Sequence, residues 1–547
     1  MDKTLVFQFL KEGYLVSPDL DNQISKEELT NFFIKSNKKD SFKNKVAVVN
    51  KDVINSISSH QKIPDINWSE FEASKALKEK GKDLEIYVTF SNILNYGTDQ
   101  KETEKMSTIM EEVNIPTPNL IERTEERRDY PVIVLKSFSD EGKKRDVKDF
   151  VSYFRVRYIT LKKILQNRQE LHDAVSINRI INKKDKEQVS IIGIVSSKQK
   201  TKNGNIVVEL EDLTDTIKVI FHQNNQESLE SANNLVLDEV IGVVGVIKGN
   251  ILFGKSILFP DIPLNKELKK APDEVYAAFI SDIQLGSNKF VLDSFKKFIE
   301  WLNGKSDNEN QRAIALKIKY LFLVGDLVDG VGVYPGHEKN LAIKDIRQQY
   351  NSLAQLLSTI RKDIKMIICP GNHDAGRLAL PQLPLDKKFA EAMCSLSNTY
   401  LVSNPAWVNI HSSKDFPGFD VLMFDGYGYH YYLTEVESLR MAGGHNNPTA
   451  VMKFLLQKRH LTPTHNFTRF VPYEDEDPLI INRVPDIFAS GEMHKVAVDS
   501  YKNVTLLISG CWQSKTDFQE KIGIEPDVAK FPIVNLKTRE VKILNFE

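Results

Sequence analysis

Along the 547 residues, the clearest pattern is a short apolar run that stops at a turn carrying acids, amides or imidazoles. It occurs four times in the C-terminal half. Ala277-Ala278-Phe279-Ile280-Ser281 meets Asp282-Ile283-Gln284, and Tyr320-Leu321-Phe322-Leu323-Val324 meets Gly325-Asp326-Leu327-Val328-Asp329-Gly330. Met366-Ile367-Ile368-Cys369 meets Pro370-Gly371-Asn372-His373-Asp374, and Ile487-Phe488-Ala489-Ser490 meets Gly491-Glu492-Met493-His494. Runs of this length bounded by Gly and Pro read as buried strands. Helix-period stretches at 290–302 and 345–360 alternate with them, which predicts a layered α/β fold over 272–547 with its chemistry at the strand ends. Four strands releasing polar residues at one sheet edge predict a metal-binding cleft.

Upstream the period changes. Residues 189–259 hold five short strand-like runs separated by turns such as Asn203-Gly204 and Gly249-Asn250, with a helix-compatible stretch near 227–235. That pattern suits an OB-type barrel within a helix-plus-barrel domain at 147–265. Its first loop carries Lys198, Lys200 and Lys202, where such barrels meet nucleic acid, so these are the DNA-binding candidates. A barrel serving only as a subunit contact fits the runs as well, because few aromatics are placed to stack bases. Before the barrel, Phe150, Val151, Phe154, Tyr158, Leu161, Ile164 and Leu165 recur at helical spacing, with Arg155, Arg157, Lys162, Lys163 and Arg168 assigned to a solvated face. Residues 59–146 are charged and weakly periodic and read as a flexible linker, with a short strand within 86–94 as an option. Residues 1–58 read as a small helical domain, on signals such as the capping box Ser25-Lys26-Glu27-Glu28.

Composition adds limits. The 73 basic and 74 acidic side chains leave a formal net charge of -1, so any nucleic-acid surface must be local. The three cysteines, Cys369, Cys394 and Cys511, lack ligand spacing and read as buried free thiols in a reducing compartment. The N-terminus mixes charges before any signal-type core is complete, and no apolar run approaches the ~18 residues of a membrane span. A cytoplasmic, nucleoid-associated protein without membrane contact is expected.

The four motifs together resemble the calcineurin-like metallophosphoesterases, whose pattern is Asp-x-His, Gly-Asp-x-x-Asp, Gly-Asn-His-Asp, an isolated His and Gly-His-x-His. With an OB barrel in front, the chain is similar to the small subunits of archaeal family-D DNA polymerases, which are related to the B subunits of eukaryotic replicative polymerases. The stretches 325–336, 453–465, 484–488 and 511–519 carry that likeness. The resemblance implies a multidomain α/β plus β protein, in which an OB-type barrel precedes a four-layer α/β phosphoesterase domain. It implies a divalent pair, Mn²⁺ or Mg²⁺, with Asp326 bridging, Asp282 and His494 on one ion and Asn372 on the other. His373 would face the leaving oxygen, held by Asp329, with Asp374 behind them. Three positions depart from the pattern, because Gln284, Asp425 and Glu492 stand where imidazoles are expected. Asp425 and Glu492 remain possible oxygen ligands, Gln284 is a poor one, and the added carboxylates repel a phosphodiester. His445, His460 and His465 are nearby in sequence, as replacements or as packing residues. The implied role is 3'-to-5' exonuclease on single-stranded 3' ends, weakened by those changes, in complex with a large catalytic subunit. The alternative is an inactive structural subunit that scaffolds that partner, and a freestanding phosphoesterase comes third. A sliding clamp or primase is a further expected partner.

Overall fold

The computed structural model describes residues 131–547 apart from 141, 181–185 and 466–467, together with two short segments nearer the N-terminus. Those segments, β1 (Tyr14–Val16) and β2 (Ala47–Val49), lie in the unit Met1–Thr103 and pair in parallel, Tyr14 opposite Ala47. The helical signals expected within 1–58, and the optional strand within 86–94, lie outside the described residues. What is described in that first domain is β structure.

The second unit, Glu104–Glu547, begins with β3 (Val132–Lys136). This corrects the C-terminal end of the linker assigned to 59–146, whose residues before 131 lie outside the described ones, because β3 is an antiparallel edge strand of the α/β domain, with Val134 opposite Val408. Helix α1 (Val147–Leu165) follows, started by a reciprocal cap. The Asp146 carboxylate accepts from the Lys148 N–H, and the Asp149 carboxylate accepts from the Asp146 N–H.

The barrel closes in the order β4 (Gln188–Lys200), β5 (Ile206–Glu211), β6 (Thr216–Phe221), β8 (Ile251–Leu258), β7 (Val240–Lys248). Helix α2 (Gln226–Asn233) packs Ala232 into its core beside Val208, Val219 and Leu252. The barrel is therefore a five-stranded OB-type fold, as its strand periods predict.

Two six-stranded sheets build the α/β domain. Its strands are β9 (Tyr276–Ile280), β10 (Ile318–Val324), β11 (Lys365–Cys369), β12 (Thr399–Leu401), β13 (Ala406–Ile410), β14 (Phe419–Met423), β15 (Ile487–Ser490), β16 (Ala497–Tyr501), β17 (Val504–Ile508), β18 (Lys530–Asn535) and β19 (Val541–Asn545). The first sheet runs β12-β11-β10-β9-β18-β19 and the second β16-β17-β15-β14-β13-β3. Alternation along β10 explains why both faces are apolar. Tyr320, Phe322 and Val324 enter a core shared with Val408, Val421 and Ala489 of the other sheet, while Leu321 and Leu323 pack outward with Phe298 and Leu353. Those outward partners lie on α3 (Leu292–Leu302) and α4 (Ile346–Ser358). On the second sheet, Leu422 and Phe488 pack outward with Tyr432 of α5 (Tyr429–Glu435) and Leu455 of α6 (Thr449–Lys458).

Helix α1 joins barrel and α/β domain. Tyr153 packs with Trp407 and Phe470, whereas Leu161 and Leu165 pack with Ile192 and Val240 of the barrel. Arg157 corrects the solvated-face expectation. It sits four residues from both Tyr153 and Leu161, so helical geometry turns it inward, and it is fully buried. Its Nε donates to Asp477 at 2.7 Å, and its Nη1 donates to the Pro463 carbonyl at 2.7 Å and the Asp238 carbonyl at 3.0 Å. A second buried pair, Lys458 to Glu239 at 2.7 Å, crosses the same junction. Among the described residues, no helix is long and apolar enough to cross a membrane.

Candidate functional site

Strand register brings the sequence motifs together. β10 pairs in parallel with β9 and β11, Leu323 opposite Ile280 and Val324 opposite Cys369, so the turns at Asp282, Asp326 and Asn372 emerge side by side. In the other sheet Met423 lies opposite Ala489, which sets Asp425 beside the turn at Glu492 and His494. The expectation of one sheet edge is thereby corrected: strand ends of two facing sheets contribute. Asp282, Gln284, Asp326, Glu492 and His494 all take positive φ, between 47° and 67°, a backbone region that costs side-chain-bearing residues about 1–3 kcal/mol. Five such residues around one cleft mark a constrained site.

Asp282 is fully buried. It accepts from the Glu492 N–H at 3.1 Å and from the Ser281 hydroxyl, and its Oδ1 lies 3.5 Å from His494 Nε2. Asp326 accepts from the His373 N–H at 2.8 Å and from the Gln284 amide at 3.0 Å. Asp374 accepts from the N–H groups of Leu327 and Gly371 and from the Tyr350 hydroxyl, and so ties both motif loops together. Glycine makes the close approach feasible. A Cβ on Gly371 would lie 2.3 Å from Asp326 Oδ1 and 2.7 Å from Asp425 Oδ1, and one on Gly325 would lie 1.7 Å from Asp425 Oδ1.

The electrostatics follow from crowding acids in a largely buried cleft. Burial, then Asp326 and Glu492, push Asp425 well above the carboxylate range, and burial with Asp326 and Asp282 does the same to Glu492. Burial and the Asp326 charge push Asp374 to about 7 despite the three bonds donated to it. Burial and Asp282 raise Asp326, against the pull of His373. For His373 burial favours the neutral ring, but Asp326 and Asp329 outweigh it and hold the imidazole above its ordinary value.

Asp329 holds His373 differently from expectation. Its backbone carbonyl lies 2.8 Å from His373 Nδ1, whereas its carboxylate is 3.7 Å away and turns its Oδ2 to His337 Nε2 at 3.3 Å. His337 is fully buried, and its Nδ1 accepts from the Val333 N–H. Sequence reading missed it, although it directly follows the 325–336 stretch. His430 was missed too: its Nε2 lies 3.8 Å from Glu492 Oε1, and its ring stacks on His445 at 5.0 Å. Only its position five residues after Asp425 hints at this. His460 bonds Asp477 at 2.9 Å, and His465 packs on Phe150 and Phe470, so both belong to the α1 junction.

Lys198 also departs from its expected role. Its ammonium donates to the carbonyls of Asn233 and Leu235, each at 2.7 Å, where the negative end of α2 attracts a cation. Lys200 and Lys202 stay exposed at the end of β4 and its turn. Cys369 and Cys511 are buried free thiols, whereas Cys394, read as buried from the sequence, is exposed near the end of a short helix.

The donor set suits a hard divalent cation. Gln284 Oε1, Asn372 Oδ1 and both Asp425 oxygens are buried without a hydrogen-bond donor, beside carboxylates whose repulsion a cation would relieve. Among the described residues, no group of three or more His, Cys, Asp or Glu side chains is placed to hold a metal ion as the side chains stand.

Comparison with known proteins gives the family. A family model described as the B subunit of DNA polymerases alpha and epsilon matches residues 277–497, and one described as OB-fold nucleic acid binding domain matches 189–262. The chain is 36% identical over 420 residues to the DNA polymerase II small subunit of Methanothermobacter thermautotrophicus, covering 77% of this chain and 84% of that one. It is 35% identical over 505 residues to the protein of the same description from Pyrococcus furiosus, covering 89% and 80%. With relatives at this identity aligned over most of their length, the chain belongs to the family of DNA polymerase II small subunits.

Proposed function

We propose that this chain is the small subunit of a heteromeric replicative DNA polymerase, docked on a large subunit that carries the synthetic site, and that its cleft removes nucleotides from single-stranded 3' ends. The observation that carries the reading is the convergence of Asp282, Asp326, Asn372 and His373 at adjacent strand ends of one sheet with His494 from the facing sheet, with buried oxygens left open there. Helices outside two face-to-face sheets support the expected four-layer phosphoesterase arrangement.

Mn²⁺ or Mg²⁺ would be held by Asp326, Asp282, His494 and Asn372, with Asp425, Glu492 and Gln284 as further oxygen donors. When bound, such cations supply Lewis-acid polarisation and neutralise phosphate charge. The chain's own contribution to proton transfer is His373. Its Nδ1 is engaged by the Asp329 carbonyl, and Asp326 and Asp329 favour the imidazolium, which leaves a proton on Nε2 for the 3' oxygen. That proton is given up as a water oxygen bonds to phosphorus, releasing its own proton to solvent, and the bond from phosphorus to the 3' oxygen breaks. Relative to a cleft with imidazoles at 284, 425 and 492, the extra acids slow this step.

A second reading, a scaffold with an inert cleft, is favoured by the open donor set and by the raised Asp425 and Glu492. Digestion of labelled single-stranded DNA with Mn²⁺ separates the two. Slow release of terminal nucleotides by the wild type, lost in Asp326→Ala and His373→Ala, supports the nuclease; equal inertness of all three supports the scaffold.

A further inference from the structure

A cavity of about 510 Å³ has Met493 and Lys495, the neighbours of His494, in its wall. Contacts lead into it from the site: Glu492 lies 3.8 Å from His430, His430 stacks on His445, and His445 forms part of the cavity wall. Arg440 and Lys495 also line it, with Leu433 as an apolar wall. Arg440 spends one N–H on the Thr434 carbonyl at 2.7 Å. Lys495 stands 4.0 Å from Asp527, and the acid of the wall, Glu525, is already paired with Lys515. A cavity of this size falls in the range of small-ligand sites. Two cations and a half-buried imidazole pair give it a phosphate-binding rim and a flat face for a base.

We propose that this cavity binds a nucleoside 5'-monophosphate, the unit released when a 3' end is trimmed. The inference rests on the nuclease reading for its orientation. His373 faces the 3' oxygen that stays with the strand, so the strand belongs on the Asp329–His373 side. The terminal nucleoside, attached through its own 5' oxygen, then belongs on the Glu492–His430–His445 side. The cleft itself is lined by acids, Asp282, Asp326, Asp374, Asp425 and Glu492. The cavity supplies the opposite charge one residue away.

The test uses the full-length chain without added metal, titrated with dAMP, with deoxyribose 5-phosphate and with inorganic phosphate. The wild type is expected to bind dAMP at least tenfold more tightly than the Arg440→Glu/Lys495→Glu double variant, whose changes lie on the cavity wall and spare the cleft. His445→Ala is expected to weaken dAMP about fivefold or more while leaving deoxyribose 5-phosphate unchanged, since only the base stacks. Absence of dAMP binding, equal binding by the double variant, or competition by inorganic phosphate as strong as by dAMP would overturn the assignment. Digestion is scored separately. Binding that follows the cavity variants, without any trimming of DNA, keeps the cavity and removes the nuclease; trimming without dAMP binding does the reverse.

Discussion

The junction around Asp477 and the cleft around Asp326 each bury several ionisable groups, and they differ in how many partners each charge finds. Asp477 accepts from Arg157 at 2.7 Å, Tyr153 at 2.6 Å, His460 at 2.9 Å and the Leu479 N–H at 3.0 Å. Burial alone would raise its pKa, but Arg157 and His460 overcome that and hold the carboxylate far below its usual range. In the cleft, Asp425 has no donor on either oxygen, and its nearest charges are other acids. Both clusters belong to one folded unit, so the open one is not a general looseness of packing. A buried charge with a full complement of partners fixes geometry, and one left without them is a place prepared for something else to bind.

Removing one partner should affect the two clusters oppositely. Asp477→Ala leaves Arg157 buried without its counter-charge and should cost about 3–5 kcal/mol in urea unfolding; a loss below about 1 kcal/mol would erase the contrast. The clusters should also separate on the pH axis. Asp374, raised to about 7, and the other raised acids bind more protons folded than unfolded. Stability of the metal-free chain should therefore fall as pH rises from about 4 to about 7, by on the order of 4 kcal/mol from Asp374 alone. Asp477 has the reverse sign, and its contribution is lost as pH falls below about 4. Unfolding curves that stay flat between about pH 5 and about pH 8 without metal would remove the case for crowded acids.

Smaller changes sharpen the same point. Asp425→Asn removes a charge that the cleft disfavours, and should raise metal-free stability at about pH 8 by about 1–2 kcal/mol. Its thermal midpoint should rise while the wild type alone responds fully to added Mn²⁺. At the lower end, Asp146→Ala removes the cap of α1 and should cost about 1 kcal/mol. That change should leave the cleft's pH dependence untouched, which a repeat of the pH series checks.

What could be read in the sequence was local. An apolar run ending at Gly-Asp-Leu-Val-Asp declares a buried strand and the position of its acids, and the barrel strands declare themselves by period and turns. What could not be read depended on partners far along the chain. Val132-Ile133-Val134-Leu135 is a mostly β-branched run that is legible as a strand, but its partner Ala406–Ile410 lies far along the chain and is not legible from it. Arg157 has the composition of a solvated face, and only Asp477, 320 positions later, makes its burial tolerable. Lys198 has the look of a DNA contact until the end of α2 is folded against it. His337 and His430 lie outside any ligand spacing and reach the cleft only because the chain folds the short turn after Gly336 and the start of α5 against it.

The account depends on cations meeting the oxygens gathered at the ends of β9, β10, β11, β14 and β15. Titration of the full-length chain with Mn²⁺, read by the loss of the free-ion electron paramagnetic resonance signal, tests this directly. Saturable binding by the wild type that weakens at least tenfold in Asp326→Ala is the predicted result. No binding by the wild type, or the same binding in both, would contradict it.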